Sequence, residues 1–223
     1  MENLKLKKHH KLIISADGGA ASGKTTGAKL ISKKYGLKFL SSGLLYRYAS
    51  YLLLKDKPKN KISYLDKCFK KLSLKKLEKI NLHSPKISEY SSIIAKEKKI
   101  RNVLKLFQKN FSKKFNKVCI EGRDIGTIIL PQADIKFFFT CSLNVAAKRR
   151  FRELRKINDK IKFQDVKKAI HKRNNLDKNR KNSPLIQAKN AVIVPTDKLK
   201  NIKGMLNKMS EVVEKKIIDK YGS

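Results

Sequence analysis

Five short apolar runs punctuate the chain: KLIISADGG (residues 11–19), LKFLSS (37–42), KVCIEG (117–122), DIKFFFTC (134–141) and NAVIVPT (190–196). Continuous apolar runs of this length, bounded by glycine, proline or polar residues, mark strands buried on both faces. Helical spacing fills the intervals between them. SGKTTGAKLISKKYG closes at Gly36, where a terminating glycine belongs, and GLLYRYASYLLLK is apolar on more than one face. Helices are predicted over Glu89–Lys114, Asn144–Ile157 and Phe163–Lys172, with a loop, RDIGTIILPQA, between the third and fourth strands. In the final helix Ile202, Met205, Leu206, Met209, Val212, Val213 and Ile217 share one face. Residues 55–90 are lysine-rich and weakly periodic; a helix is expected around Leu74–Ile80 and a loop at His83-Ser84-Pro85. Strands alternating with helices predict an α/β fold: a parallel five-stranded sheet flanked by helices. Ligands of such sheets bind beyond the carboxyl ends of the strands.

Composition narrows the class. With 223 residues, 40% hydrophobic, the chain suits a single domain with a real core. No run reaches the roughly 18 apolar residues of a membrane span. The basic start carries only LIISA as an apolar stretch, too short for a secretory leader, so a cytoplasmic location is expected. Cys68, Cys119 and Cys141 stand apart and read as reduced thiols. The net charge of +37 points first to nucleic acid. Of the 55 basic residues, however, only nine are arginine, and the lysines are dispersed along the chain. Aromatics are 8% and tryptophan is absent, which leaves no stacking platform for a single strand. Lysine therefore reads as solvated background, with no specific nucleic-acid partner and no membrane partner expected. Arginine, a rigid fork suited to phosphate, is the informative cation.

The strongest motif is Gly18-Gly19-Ala20-Ala21-Ser22-Gly23-Lys24-Thr25-Thr26, a full GxxxxGK[ST] match between a predicted strand and a predicted helix. Glycines let backbone N–H groups turn inward around phosphate oxygens, and the helix N-terminus adds its positive end. Lys24 would reach the β and γ phosphates of ATP, and the Thr25 hydroxyl would ligate Mg²⁺. No NKxD guanine-reading motif follows. The length fits a kinase of small metabolites better than a mechanical ATPase. His9, His10, His83 and His171 show no metal-ligand spacing.

Further landmarks follow in order: Ser42-Gly-Leu-Leu-Tyr46-Arg47, Ser92 with Arg101 nine residues later, Gly122-Arg123-Asp124-Ile-Gly-Thr127, Arg173-Asn-Asn-Leu-Asp177-Lys-Asn-Arg180, and Ser183-Pro184-Leu185 trailed by Ala188. Together with the phosphate loop they closely resemble the bacterial cytidylate kinases of the nucleoside monophosphate kinase family, from about Leu12 to Lys215. The resemblance implies Mg-dependent transfer of the ATP γ-phosphoryl group to CMP or dCMP by a monomer. It implies one kinase domain: a core of about 11–54, 115–148 and 184–223, an acceptor-binding lobe of about 55–114, and a helical lid of about 149–183. By the same resemblance Arg47, Arg123 and Arg173 clamp the acceptor phosphate, with Ser42 in the same motif as Arg47. Ser92, Arg101 and Asp124 read cytosine, while Asp177 and Arg180 hold the ribose. Independently, a carboxylate can accept from the cytosine amino group but repels a uracil carbonyl. If helical, residues 173, 177 and 180 share a face. Arg150, then Arg149, are the expected lid cations for the transferring group; Arg152 and Arg155 are equally well read as surface charges. Ser41 stands where the family usually has Asp, and Leu176 where a polar residue is common. The 43–123 stretch is short, so the lobe's small antiparallel sheet is expected to be trimmed. A UMP or AMP kinase of the same fold, or a basic ATP-dependent nucleic-acid-binding protein, are the alternatives.

Overall fold

The computed structural model describes residues 6–7, 9–199 and 201–222; most of the basic start, residues 1–5, lies outside them. Its elements are, in order, β1 (Leu12–Gly18), α1 (Lys24–Tyr35), β2 (Lys38–Ser41), α2 (Ser42–Asp56), α3 (Lys61–Lys70), α4 (Leu74–Glu78), α5 (Pro85–Ile94), α6 (Lys98–Lys114), β3 (Lys117–Gly122), a π-helical turn (Ile125–Ile129), β4 (Ile135–Thr140), α7 (Leu143–Arg155), α8 (Phe163–Asn179), β5 (Val192–Pro195) and α9 (Ile202–Tyr221). The chain divides into two compact units, one of Met1–Leu40 with Phe115–Ser223, the other Ser41–Lys114.

The first unit is built on a five-stranded sheet of order β2-β3-β1-β4-β5. β1 pairs in parallel with β3 and with β4, and β4 pairs in parallel with β5. The registers Asp17↔Gly122, Gly18↔Phe139 and Thr140↔Pro195 bring the loops after β1, β3, β4 and β5 to one edge. The main core joins Leu12, Ile14, Phe137, Phe139 and Val194 of the strands to Ala28 and Ile31 of α1 and Met205, Met209, Val213 and Ile217 of α9. Parallel strands covered by helices must be apolar nearly throughout, and these are. Among their polar residues Ser15, Asp17 and Glu121 are buried, whereas Lys117, Lys136 and Thr140 are half-buried. α1 lies so close to β4 that a Cβ on Gly27 would stand 2.7 Å from Phe139 Cε1. A second cluster joins Ala146 and Ala147 of α7 to Val166 and Ile170 of α8, with Ala20 and Ala21 packed against it.

The second unit holds helices α2 to α6 joined by loops, with no strand among its described residues beyond Ser41 at the end of β2. The segment hardest to read in sequence holds two helices. α3 starts at Asn60, whose side chain accepts from Ser63 N at 3.1 Å, and buries Leu65 and Phe69. Phe69 stands edge-on to Tyr48 and Phe107. The single helix expected over Glu89–Lys114 is two, α5 and α6. Four polar residues, Lys96–Lys99, interrupt the apolar period, and the helices bury separate sets, Ile87 and Ile94 in one, Ile100 and Leu104 in the other. Pro85, read as loop, is the first residue of α5, where a missing N–H costs nothing. Ser84 caps it, accepting from Ile87 N at 3.3 Å. In the first unit α8 runs on to Asn179, seven residues beyond the predicted end, and the expected loop after β3 contains the π-helical turn.

Candidate active site

The phosphate loop begins where β1 runs out. A Cβ on Gly18 would lie 2.5 Å from Phe139 O, so only glycine fits against β4 there. Gly23 closes the loop at φ 86, a left-handed conformation natural to glycine, and α1 starts at Lys24. Lys24 is buried, yet its Nζ is not idle: it donates to Gly19 O at 3.0 Å and lies 3.9 Å from Glu121 Oε2. Burial first, then the Arg123 guanidinium, push the Lys24 ammonium down to about 7 against the pull of Glu121. Thr25, by contrast, is exposed at the helix start.

Beyond β3 the chain turns at Arg123 and Asp124. Arg123 Nε donates to Asp177 Oδ2 at 2.8 Å. Arg180, just past α8, donates from Nη1 to Asp177 Oδ1 at 3.5 Å, sets Nη2 3.8 Å from Asp124 Oδ1, and donates from Nε to Ser183 O. Two arginines and two carboxylates thus form one lattice, with Arg173 contributing its charge. Burial alone would raise the Asp177 carboxyl, but Arg123, Arg173 and Arg180 hold it below the usual carboxylate range. Because α8 extends past Lys172, Arg173, Asn174 and Asp177 lie on one half-buried helical face continued by Arg180, while Leu176 is 38% exposed on another. The segment after α8 folds back through Leu185 N to Asp177 O at 2.7 Å, and Leu185 and Ala188 are buried.

Four residues absent from the sequence-based set complete this region. Asp17, at the end of β1, is 3% exposed and accepts from Ile125 N at 2.9 Å and Gly126 N at 2.7 Å. Burial pushes its carboxyl up to about 6, despite those two hydrogen bonds and the nearby Arg123 and with a push from Asp124. Glu121 faces Lys24. Asn174 Oδ1 accepts from Ala20 N at 2.9 Å, a loop amide of the kind that cradles phosphate. Thr196, after β5, donates to Ser22 O at 2.9 Å and takes two donations from Arg149, Nη1 to Oγ1 at 2.8 Å and Nη2 to the carbonyl at 2.9 Å. Acids inside apolar runs were a readable signal for Asp17 and Glu121; Asn174 is marked only by its place beside Arg173, and Thr196 by nothing.

The lid cations divide. Arg149 is tied beside the phosphate loop through Thr196, whereas Arg150 Nη1 donates to Glu153 Oε2 at 2.9 Å on the α7 surface. Within the second unit, Ser41 Oγ caps α2, accepting from Leu44 N at 3.4 Å, and Ser42 is buried behind it. Arg47 Nη1 lies 3.4 Å from His83 Nδ1. Ser92 Oγ donates to Ser88 O at 3.4 Å. Arg101 is buried, donates to Ala95 O at 3.1 Å at the end of α5, and lies over the Tyr46 ring. Among the described residues no group of three His, Cys, Asp or Glu side chains is placed to hold a metal. No helix among them is long and apolar enough to cross a membrane.

Comparison with known proteins adds sequence and fold relationships. A family model described as cytidylate kinase matches residues 14–215. The chain is 32% identical over 223 residues to a cytidylate kinase of Clostridium tetani, covering 95% of this chain and 98% of that one. It is 38% identical over 192 residues to a cytidylate kinase of Bartonella tribocorum, covering 84% and 87%. A crystal structure of shikimate kinase from Bacteroides thetaiotaomicron shares the fold, with a TM-score of 0.51 at 16% identity over 91% of this chain and 98% of that one.

Proposed function

The chain belongs to the cytidylate kinase family, and we propose that it transfers the γ-phosphoryl group of ATP, with Mg²⁺, to CMP or dCMP, releasing ADP and the diphosphate. The observation that carries this reading is the lattice of Arg123, Asp124, Asp177 and Arg180 at the strand ends, in the same unit as the phosphate loop. It offers charge-assisted donors for a phosphate and carboxylates for hydroxyl and amino groups, the two needs of a single nucleotide.

In this reading the amides of Gly18–Thr26 and Lys24 hold the ATP phosphates. The exposed Thr25 hydroxyl is a hard oxygen donor that fits Mg²⁺, an ion that characteristically takes few protein ligands and completes its shell with phosphate oxygens and water. When bound, it neutralises charge on the β and γ oxygens. In the first unit Arg123 and Arg173 bind the acceptor phosphate, Asp124 reads the base, and Asp177 and Arg180 hold the ribose; the second unit carries its own candidates for the phosphate, Arg47 and Ser42, and for the base, Ser92 and Arg101. The acceptor phosphate, with a second pKa of about 6, is already largely dianionic at neutral pH, so no side chain need deprotonate it. Residues 149–183 act as the lid and 55–114 as the acceptor-binding lobe. On closure Arg149 and Arg150 neutralise the transferring group and water is excluded.

A coupled assay across CMP, dCMP, UMP and AMP tests the assignment. CMP and dCMP are the expected substrates, and Asp124→Ala lowers the CMP-over-UMP preference by roughly tenfold or more, the scale of one base contact. An unchanged CMP/UMP ratio would remove Asp124 from base recognition. UMP or AMP as the preferred acceptor would overturn the substrate assignment.

A further inference from the structure

The β1 end carries a carboxylate with no part in the proposed reaction. Asp17 is buried at the register position beside Gly122, immediately before Arg123 and Asp124. Both its oxygens are used: Oδ1 accepts from Ile125 N and Oδ2 from Gly126 N. The backbone comes close enough to make these bonds because residue 126 is glycine. A Cβ there would stand 2.8 Å from Ser15 Oγ and 3.3 Å from both Asp17 Oδ2 and Ala188 Cβ. The turn after β3 therefore lies close against β1 and Ala188 and is tied to β1 by two amides. The chemistry of the tie is specific to a carboxylate. Asparagine offers one acceptor oxygen and an NH₂ group, which would confront the second N–H as donor against donor. A buried charge is costly unless something requires it, and burial has already raised this carboxyl.

We propose that Asp17 is a positioning residue for the acceptor nucleotide: it fixes residues 124–126 from below and so sets the Arg123 and Asp124 side chains at the strand edge. Arg123 is then constrained at two points, the turn two and three residues after it by the Asp17 tie and its guanidinium by Asp177. Asp17 itself lies beneath the turn and acts through it. This inference rests on the reading of Arg123 and Asp124 as acceptor-binding residues.

The test is Asp17→Asn, isosteric and neutral, in the full chain, with Arg123→Ala and Asp124→Ala measured in parallel. Backbone amide hydrogen exchange followed by NMR reads the tie directly. Ile125 and Gly126 should exchange at least tenfold faster in Asp17→Asn, with the amides of α1 and α9 unchanged. Steady-state kinetics read the consequence. KM for CMP should rise tenfold or more and the CMP/UMP preference should fall, while KM for MgATP stays within twofold. Unchanged exchange at Ile125 and Gly126 overturns the inference. So does faster exchange with an unchanged KM for CMP, where Arg123→Ala and Asp124→Ala do raise it. If those two variants also leave CMP untouched, the acceptor-site reading falls and the inference built on it falls with it. A parallel loss toward CMP and MgATP marks a general structural role and overturns the positioning role.

Discussion

Asp17 makes a prediction about stability: a neutral side chain in its place should gain on the parent as pH rises. Its carboxyl moves from 3.8 to about 6 on folding, driven first by burial and then by Asp124, with Arg123 and the two amide bonds opposing. A shift of this size is worth up to about 3 kcal/mol between the two protonation states. Between pH 4 and 6 the folded chain binds this proton more tightly than the unfolded chain does. The Asp17 contribution to stability therefore rises as pH falls through 6 and is complete below 4. Above pH 6 the group holds its full penalty. Asp17→Asn carries no such charge at any pH. Asn also gives up one of the two amide bonds, a pH-independent cost of about 1–3 kcal/mol. Urea unfolding followed by circular dichroism should therefore show the variant gaining on the parent by up to about 3 kcal/mol as pH rises from 4 to 8, about half of it by pH 5. Asp177, whose depressed carboxyl contributes stability that is lost on acidification, is present in both proteins and cancels from the difference. A difference that does not change with pH, or a variant that loses ground on the parent as pH rises, would refute the reasoning.

Two other substitutions probe packing and the lid. Gly27→Ala gains helix propensity of about 1 kcal/mol but drives a methyl group to within 2.7 Å of Phe139 and 3.1 Å of Met209 Sδ. Overpacking of about 1–3 kcal/mol should offset that gain and leave a net loss of up to about 2 kcal/mol in urea unfolding; a higher midpoint would show that α1 can move off β4. The Arg150–Glu153 pair is solvent-facing, with Glu153 62% exposed, and so is worth only about 0.5 kcal/mol, little hindrance to Arg150 leaving it. Glu153→Ala should change kcat by less than about twofold, whereas Arg150→Ala should lower it about 100-fold, as loss of a transition-state donor does. Equal effects in single-turnover assays would mean that the pair acts as a unit on the α7 surface.

Much of the fold was legible because parallel strands and glycine-punctuated loops obey local rules. KVCIEG and DIKFFFTC are apolar enough to be only strands, and GGAASGKTT between strand and helix admits one backbone path. Helix ends were harder. The break between α5 and α6 falls at residues 95–97, beside the polar run Lys96–Lys99, but in a chain so rich in lysine a polar quartet looks like any solvated face. α8 runs on through Arg173–Asn179 because its half-buried face meets other charges of the first unit, and tertiary partners of that kind leave no periodic mark. Of the candidate site, the arginines stood out by scarcity, and Arg123, Asp124, Asp177 and Arg180 do converge. Their supports did not stand out. Asp17 and Thr196 act through backbone groups far away in sequence, and a hydrogen bond to a remote amide leaves no spacing to read.

The phosphate loop has a consequence for how a nucleotide enters. Lys24 already donates to Gly19 O, and the Ala20 amide already donates to Asn174. Filling this cradle is an exchange of partners: each bond offered to a phosphate oxygen is one withdrawn from the protein. The loop stays shaped without its ligand, and the net binding energy is the difference between two sets of bonds, smaller than either. Because Asn174 sits on α8, a nucleotide bound as proposed would compete with that helix for the Ala20 N–H, while the packing of Ala20 and Ala21 on the α7 and α8 cluster keeps helix and loop together.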